Sequence, residues 1–285
     1  MLQSLLYLFK NPYNKKYPFF ALKRFIEWKI IKFFKLSNYK KTVWDDRKIY
    51  LNHDSFQSMW VMYNWLVDWE EFNLINDFVT TKSYCLDVGA NMGFYTIWFS
   101  KFTKNIYAFE PDTKNYLRLN KNVCANNADE YIRTFNIAVG ELDGEVSFTK
   151  DLDGENHIAL NYIEGNNSIV CKRLDSILFE NKIAEISYLK IDVEGFELEV
   201  LKGLGEYISK KKIDIIQIEI NKTISNSGST VQQLLEFIST NDLQLCSYQV
   251  IEKQLKVESY HKERENYFIV FNINAVNEKL SRPLK

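Results

Sequence analysis

At 285 residues and 46% hydrophobic content, the chain can bury one large core or two modest ones, and no uninterrupted apolar run reaches the length of about eighteen that a membrane span needs. Its net charge of −1 is made from two unequal parts: residues 1–41 carry ten Lys/Arg against one acid, Glu27, for +9, leaving −10 on the rest. The acidic body argues against a broad nucleic-acid footprint, and no nucleic-acid partner is assigned. The N-terminus lacks the basic start, apolar run and small-residue cleavage site of a secretory signal. Cys85, Cys124, Cys171 and Cys246 form no C-x-x-C pair. They read as reduced cysteines, largely of the core, and a cytoplasmic location is expected.

Residues 1–41 form a basic arm. From Phe19 to Leu36, helical spacing gathers Phe19, Leu22, Phe25, Ile26, Ile30, Phe33 and Leu36 onto one side, interrupted by Lys29, with Lys23, Arg24, Lys32 and Lys35 elsewhere. Two readings stand. The stripe packs on the rest of the protein or on a second copy, or residues 19–36 lie on the inner, anionic face of a membrane. Residues 42–82 are rich in aromatics and read as a cap on the substrate side. A short strand is expected at Lys48–Leu51, with helices over Trp60–Val67 and Glu70–Val79.

The stretch Ser83–Glu110 organises the remainder. It predicts a strand at Tyr84–Val88, a glycine loop, a helix from about Gly93 and a second strand at Ile106–Phe109. That order offers backbone N–H groups at the helix start to an anionic ligand. Glu110, 23 positions after Asp87, is spaced to meet ribose hydroxyls. The loop is Gly89-Ala-Asn-Met-Gly93, a G-x-x-x-G without the extra glycine that dinucleotide sites bring against a pyrophosphate. With Asn91 and the flanking Asp87, it suits an adenosine ligand without phosphates, such as S-adenosylmethionine.

Further along, Pro111 and Asp112 open a helix to Asn127. Strands are expected at Tyr131–Val139, Glu145–Thr149 and Ser168–Leu174, with a polar loop over Asp151–Asn167, and then a helix at Asp175–Asn181. Ile186–Val193 (ISYLKIDV) alternates so that Tyr188, Lys190 and Asp192 share a face. A helix at Gly195–Leu204 leads to Ile213–Ile220 (IDIIQIEI), whose β-branched run marks a strand buried on both sides. A helix at Val231–Ser239 and strands at Leu243–Val250 and Asn266–Asn272 complete an α/β, doubly wound, mostly parallel sheet with an antiparallel edge strand and an N-terminal helical extension. The expected divisions are 1–41, 42–82 and 83–285.

Acids at the carboxyl ends of buried parallel strands point to a ligand cleft. They occur here as Asp87, Glu110, Asp192-Val-Glu194 and Glu219. If the strands ending at Val88 and Asp192 are neighbours, the glycine loop and Asp192 face one crevice. The three histidines make no metal-ligand set, and no G-x-S-x-G elbow is present.

In order, DVGANMGFYT, FEP at Phe109–Pro111, Leu119/Asn122/Asn126, AVG at Ala138–Gly140, LDS at Leu174–Ser176 and KIDVEGFE at Lys190–Glu197 resemble FkbM-type methyltransferases over Ser83–Asn221. The resemblance implies a class I, Rossmann-like methyltransferase fold, S-adenosylmethionine as donor and a sugar or related small-molecule hydroxyl as acceptor. It implies that Asp87, Gly89, Asn91 and Gly93 form the loop at the methionine end, Glu110 holds the ribose, and the stretch including Ala138 sits beside the adenine. Asp192 would lie near the transferring methyl. An alcohol acceptor needs a base. Asp192 is the first candidate, Glu194 and Glu219 follow, Lys190 would orient Asp192, and His157 is an outside candidate. The three acids could instead hold a divalent ion, but no dedicated loop is visible and no metal is assigned. A non-catalytic subunit that binds S-adenosylmethionine and an RNA 2′-hydroxyl methyltransferase are the alternatives. Assembly into oligomers is left open.

Overall fold

Side chains alternate across the parallel strands, and both faces are apolar, so helices must cover both. The computed structural model describes residues 8–44, 46–66, 68–149, 157–159 and 167–282. Its strands are β1 (Tyr39–Val43), β2 (Arg47–Leu51), β3 (Tyr84–Val88), β4 (Asn105–Phe109), β5 (Ile132–Phe135), β6 (Ala138–Val139), β7 (Gly144–Phe148), β8 (Ile158–Ala159), β9 (Asn167–Lys172), β10 (Ile186–Ile191), β11 (Ile213–Glu219), β12 (Gln244–Gln249), β13 (Gln254–Val257) and β14 (Asn266–Val270). Eight of them form one sheet in the order β13-β12-β14-β11-β10-β3-β4-β5. From β5 to β11 all neighbours are parallel, and β14 then runs antiparallel to both β11 and β12. This is the doubly wound, mostly parallel sheet that the sequence predicts, with antiparallel strands at one edge.

Cys85, Ile106, Tyr188, Ile215 and Phe268 look to one face of the sheet, where helices Pro18–Phe33, Phe56–Tyr63, Trp69–Phe78, Phe94–Phe99 and Thr113–Ala125 pack. Leu86, Tyr107, Leu189, Ile216 and Ile269 look to the other, beneath helices Leu174–Glu180, Glu197–Lys202 and Val231–Thr240. Each fully buried Leu or Ile stabilises the fold by about 1.5–3 kcal/mol relative to exposure, so both layers are held by many independent contributions.

The strand expected at Tyr131–Val139 is in fact two. β5 ends the large sheet, whereas β6 pairs with β9 in a separate four-stranded sheet, β6-β9-β7-β8. The break follows Asn136, whose side-chain amide donates to Glu110 O (2.8 Å) and Pro111 O (3.0 Å) and turns the chain out of the ladder. The first cap helix runs over Phe56–Tyr63, earlier than expected, because Ser55 caps it by accepting from Ser58 N (3.2 Å). Strand β13 lies within the charged connector, and a helix at Ile273–Ser281 closes the chain; neither was expected. Most of the expected loop at Asp151–Asn167 lies outside the described residues; within it, Ile158–Ala159 is β8.

The arm is joined to the body by its buried side. Helix Pro18–Phe33 turns Ala21, Arg24, Phe25, Trp28 and Ile31 inward. Phe25 is thus the member of the expected stripe that this helix buries, and Phe19, Leu22, Ile26, Ile30 and Phe33 face out. Arg24, expected on a solvated side, is buried: its Nη2 donates to Asn14 Oδ1 (2.5 Å) and its Nε to Met62 O (3.2 Å). Burial lowers its pKa to about 10, against the pull of Tyr13 and Glu27. The division expected after residue 41 falls inside β1, which pairs with β2 across a single hairpin.

Two asparagines dock that hairpin. Asn122 Oδ1 accepts from Tyr50 N (2.7 Å) and its Nδ2 donates to Met92 O (2.7 Å). Asn126 Oδ1 accepts from Lys48 N (2.8 Å), and its Nδ2 donates to Lys48 O (2.7 Å). Strand β2 therefore finishes its ladder on side-chain amides, which carry both a donor and an acceptor. Asn122 is wholly buried, so Asn122→Ala leaves Tyr50 N–H and Met92 O unpaired. We expect a loss of about 2–4 kcal/mol in urea unfolding, with an unchanged m-value.

Candidate functional site

The site begins where β3 and β10 lie side by side, with Asp87 opposite Lys190 and Val88 opposite Ile191. Chain order reverses at β3, so the loops that leave β3 and β10 diverge and open a crevice at their carboxyl ends. The glycine loop and Asp192 share that crevice. Gly89 has φ +78°, and a Cβ there would lie 1.8 Å from Asp192 O, so only glycine allows the two strand tips to approach this closely. Asp192 N completes the junction by donating to Val88 O (3.1 Å).

Lys190 is the cation of this junction. Its Nζ donates to Gly89 O (2.9 Å) and stands 3.1 Å from Asp192 Oδ2 and 3.5 Å from Asp87 Oδ1, with the Tyr95 ring centre 5.2 Å away. Burial works against the charge, but Asp192 and Asp87 outweigh it and hold the ammonium above its ordinary pKa. Asp87 is fully buried and is spent on the protein itself. Its Oδ2 accepts from Thr96 N (2.9 Å) and Thr96 Oγ1 (2.5 Å), pinning helix Phe94–Phe99 to β3.

The loop's backbone N–H groups are also used internally, in contrast to the expectation of free donors. Those of Gly89 and Ala90 go to Phe109 O, that of Asn91 to Glu110 Oε2 (2.6 Å), that of Met92 to Asn91 Oδ1 and that of Gly93 to Ala90 O. Gly93 caps the helix at φ +90° against Leu119. Glu110 accepts a second backbone bond from Asp112 N (2.8 Å). Burial pushes its carboxyl up to about 8 in spite of those two donors.

A cavity of about 60 Å³ is lined by Gly89, Asn91, Glu110, Val139, Phe148 and Asp192, among others. Beside it lies a cleft of about 1040 Å³ between the strand tips and the cap, with Gly89, Asn91, Lys190, Asp192, Glu194 and Glu219 on its floor. Gln57, Gly89, Asn91, Asp192 and Glu194 line both spaces. Asp87 and Gly93 line neither, so they act behind the loop. Ala138 does not line them either: it is buried beside Cys171, and alternation along β6 turns Val139 to the cavity instead. His157 lies at the edge of the cleft, its N–H donating to Thr149 Oγ1 (2.9 Å).

The three candidate acids converge, with carboxylate oxygens of Asp192, Glu194 and Glu219 within 4.8 Å of one another. Burial and then Asp192 and Glu194 raise Glu219 to about 10, so it holds its proton at neutral pH and bonds to Asp192. Glu194 is held at φ +54°, followed by Gly195 at φ +111°. Glu197 clamps this turn, its Oε1 accepting from Val193 N (3.2 Å) and Gly195 N (3.1 Å). Burial raises Glu197 to about 7.

A buried relay was not foreseen. Tyr188 Oη donates to Gln217 Oε1 (2.8 Å), Gln217 Nε2 to Tyr95 Oη (2.9 Å), and Tyr95 Oη to Asp68 Oδ2 (2.5 Å) at the cleft wall. Burial raises Asp68 above its ordinary value although the Tyr95 bond opposes it. Gln217, a lone amide in the apolar run of β11 and two residues before Glu219, was the available signal.

The model for the methyltransferase FkbM domain matches residues 87–250, more than half of the chain. The chain belongs to this family. The matched stretch runs from Asp87 at the end of β3 to Val250 after β12, leaving the arm and the cap outside it. Among curated relatives, the hexuronic acid methyltransferase AglP of Haloferax volcanii is 29% identical over 133 residues, covering 46% of this chain and 54% of its own length. Methyltransferase 1 of Beauveria bassiana is 24% identical over 181 residues, covering 54% of this chain and 70% of its own. The chain therefore spans about half the length of the Haloferax relative. A crystal structure of a methyltransferase FkbM from Methylobacillus flagellatus is similar at 18% identity and a TM-score of 0.44, over 67% of this chain and 44% of that one.

The raised carboxyls tie stability to pH. The unfolded chain releases these protons near 4.5, whereas folded Glu197 keeps its proton to about 7 and Glu110 to about 8, as does Glu71 of helix Trp69–Phe78, raised by burial and then by Asp68. The folded state binds more protons across that window, so stability is highest at its acid end and falls as pH rises through it. Thermal midpoints of the ligand-free protein should therefore decline from pH 5 to pH 8. Glu197→Gln retains the Oε1 acceptor and should make that decline shallower by about one proton up to pH 7.

Proposed function

We propose that the chain transfers a methyl group from S-adenosylmethionine to a hydroxyl of a sugar or a sugar-containing small molecule. The observation that carries this reading is the adjacency of β3 and β10, which sets the side-chain-free floor at Gly89 and the carboxylate of Asp192 in one cleft. The donor set fits the adenosyl ligand. Glu110 lies at the tip of β4 on the wall of the smaller cavity, and each of its oxygens retains acceptor capacity beyond its backbone bond. Gly89 and Asn91 border both spaces, so a ligand crossing from one to the other passes over the loop. When bound, the sulfonium supplies an already activated methyl, and in-line placement of the acceptor oxygen accounts for much of the rate.

The chain's own residues then have definable tasks. Asp192, half-exposed at the strand tip, takes the hydroxyl proton as the new bond forms. Lys190 holds that carboxylate in place from behind. Glu219, which holds its own proton at neutral pH, is a hydrogen-bond donor to Asp192 rather than a base. Glu194 borders both spaces, within reach of Asp192 and Glu219. The sugar class is supported by family membership and by a relative named as a hexuronic acid methyltransferase. It is also supported by the cleft wall, which Gln57 and Asn64 line with side-chain amides and Trp60 and Trp69 with indole rings.

One experiment separates binding from chemistry. The chain is incubated with labelled S-adenosylmethionine and a panel of neutral and uronic-acid saccharides, transfer is read by mass, and donor affinity is measured by calorimetry. Asp192→Asn should keep the donor affinity and lose about 10²–10⁴ in turnover. Glu110→Ala should weaken donor binding about tenfold or more. Retained turnover in Asp192→Asn moves the base elsewhere, and absence of donor binding in the unaltered chain ends the reading.

A further inference from the structure

The outward side of helix Pro18–Phe33 has no counterpart in the fold. Phe19, Leu22, Ile26, Ile30 and Phe33 are 88%, 40%, 52%, 49% and 80% exposed. At about 100° per residue they occupy a stripe of roughly 80°, nearly opposite the buried set centred on Trp28. The helix is thus apolar on two opposed sides, one of which packs on the body. Lys29 borders the outer stripe on one flank and Lys23 on the other, and both are exposed. Lys15 and Lys16 precede the helix and Lys35 follows it, all exposed. The one acid of residues 1–41, Glu27, is already engaged by Lys41 Nζ (2.6 Å to Oε1) and Tyr39 Oη (3.2 Å).

We propose that this face docks on an anionic lipid bilayer, with the helix lying in the interface. The charge pattern selects the occupant. A second copy of the same face would bring lysine rows of one sign together, and a nucleic-acid backbone would leave five large apolar side chains against water. An anionic bilayer satisfies both features, taking the apolar stripe at the acyl boundary and the flanking ammoniums among the headgroups. The helix is anchored to the body by Arg24, Trp28 and Ile31, so docking also orients the enzyme. Lys10, Asn11 and Pro12, just ahead of the helix, line the large cleft, so the docked arm brings one rim of the cleft towards the lipid surface.

The test is flotation of the full chain with vesicles of phosphatidylcholine alone and of phosphatidylcholine with about one-third phosphatidylglycerol. Recovery on the anionic vesicles should exceed that on neutral ones about tenfold or more and fall as salt is raised. The triple variant Phe19→Ser/Ile26→Ser/Phe33→Ser alters exposed positions only and should lose the association while keeping the circular dichroism and thermal midpoint of the parent. Lys23→Gln/Lys29→Gln should weaken it by about fivefold per lysine. Equal recovery on both vesicle types, no flotation, or flotation unaffected by the triple substitution overturns the proposal. So does a parent that dimerises by light scattering through this face without floating. Donor binding by calorimetry is read separately, so failure here leaves the methyl-transfer reading standing or falling on its own.

Discussion

The ammonium of Lys190 is the contact on which the site depends. Between β3 and β10 it reaches Asp87, Asp192 and the carbonyl of Gly89, three groups from both strand tips. A buried cation is tolerated only when paired, and removing one member of such a pair costs about 3–5 kcal/mol, because the other is stranded in a medium that cannot solvate it. The lysine therefore requires both acids, and the acids require the lysine. The same contact gives one carboxylate, Asp192, an ionic partner at the mouth of the cleft, while Asp87 is withdrawn to hold helix Phe94–Phe99.

Around this centre, polar groups are sorted by what they can be spared for. Asp87, Glu197, Asn122 and Asn126 each bind backbone groups and shape the loops without lining either cavity. Glu110, Asp192, Glu194 and Glu219 line the open space. Burial first, and then the neighbouring Asp192 and Glu194, raise Glu219, which keeps its proton while Asp192, beside Lys190, has an ionic partner. Such a division sets a carboxylate paired with a lysine beside a carboxyl that can donate a hydrogen bond.

The arm and cap are part of the same body. The hairpin β1–β2 is held by Asn122 of helix Thr113–Ala125 and by Asn126 just after it, and Asn122 also holds the carbonyl of Met92 in the glycine loop. Through this side chain the hairpin is linked to the loop that borders both cavities, and Ser55 and Ser58 of the cap reach Met92 Sδ directly. The cap helices Phe56–Tyr63 and Trp69–Phe78 then contribute the far wall of the cleft, with Trp60, Asn64, Asp68 and Trp69.

Much of this was legible from residue order alone. Strands β3, β10 and β11, the glycine loop and the acids at their ends are local patterns, because alternation and turn chemistry depend on neighbours along the chain. Tertiary structure decided which of those groups are spent and which are offered. Asp87 and Ala138 belong to recognisable motifs, yet one is consumed by Thr96 and the other is turned away by the pleat of β6. The split of β5 from β6, the relay from Tyr188 to Asp68 and the inward turn of Arg24 each rest on partners more than twenty residues away. Periodicity gathered an apolar stripe on the arm helix, but a helix apolar on two sides leaves open which side packs. Only the position of the body, fixed through Trp28 and Ile31, turned the stripe of Phe19 and Phe33 outward.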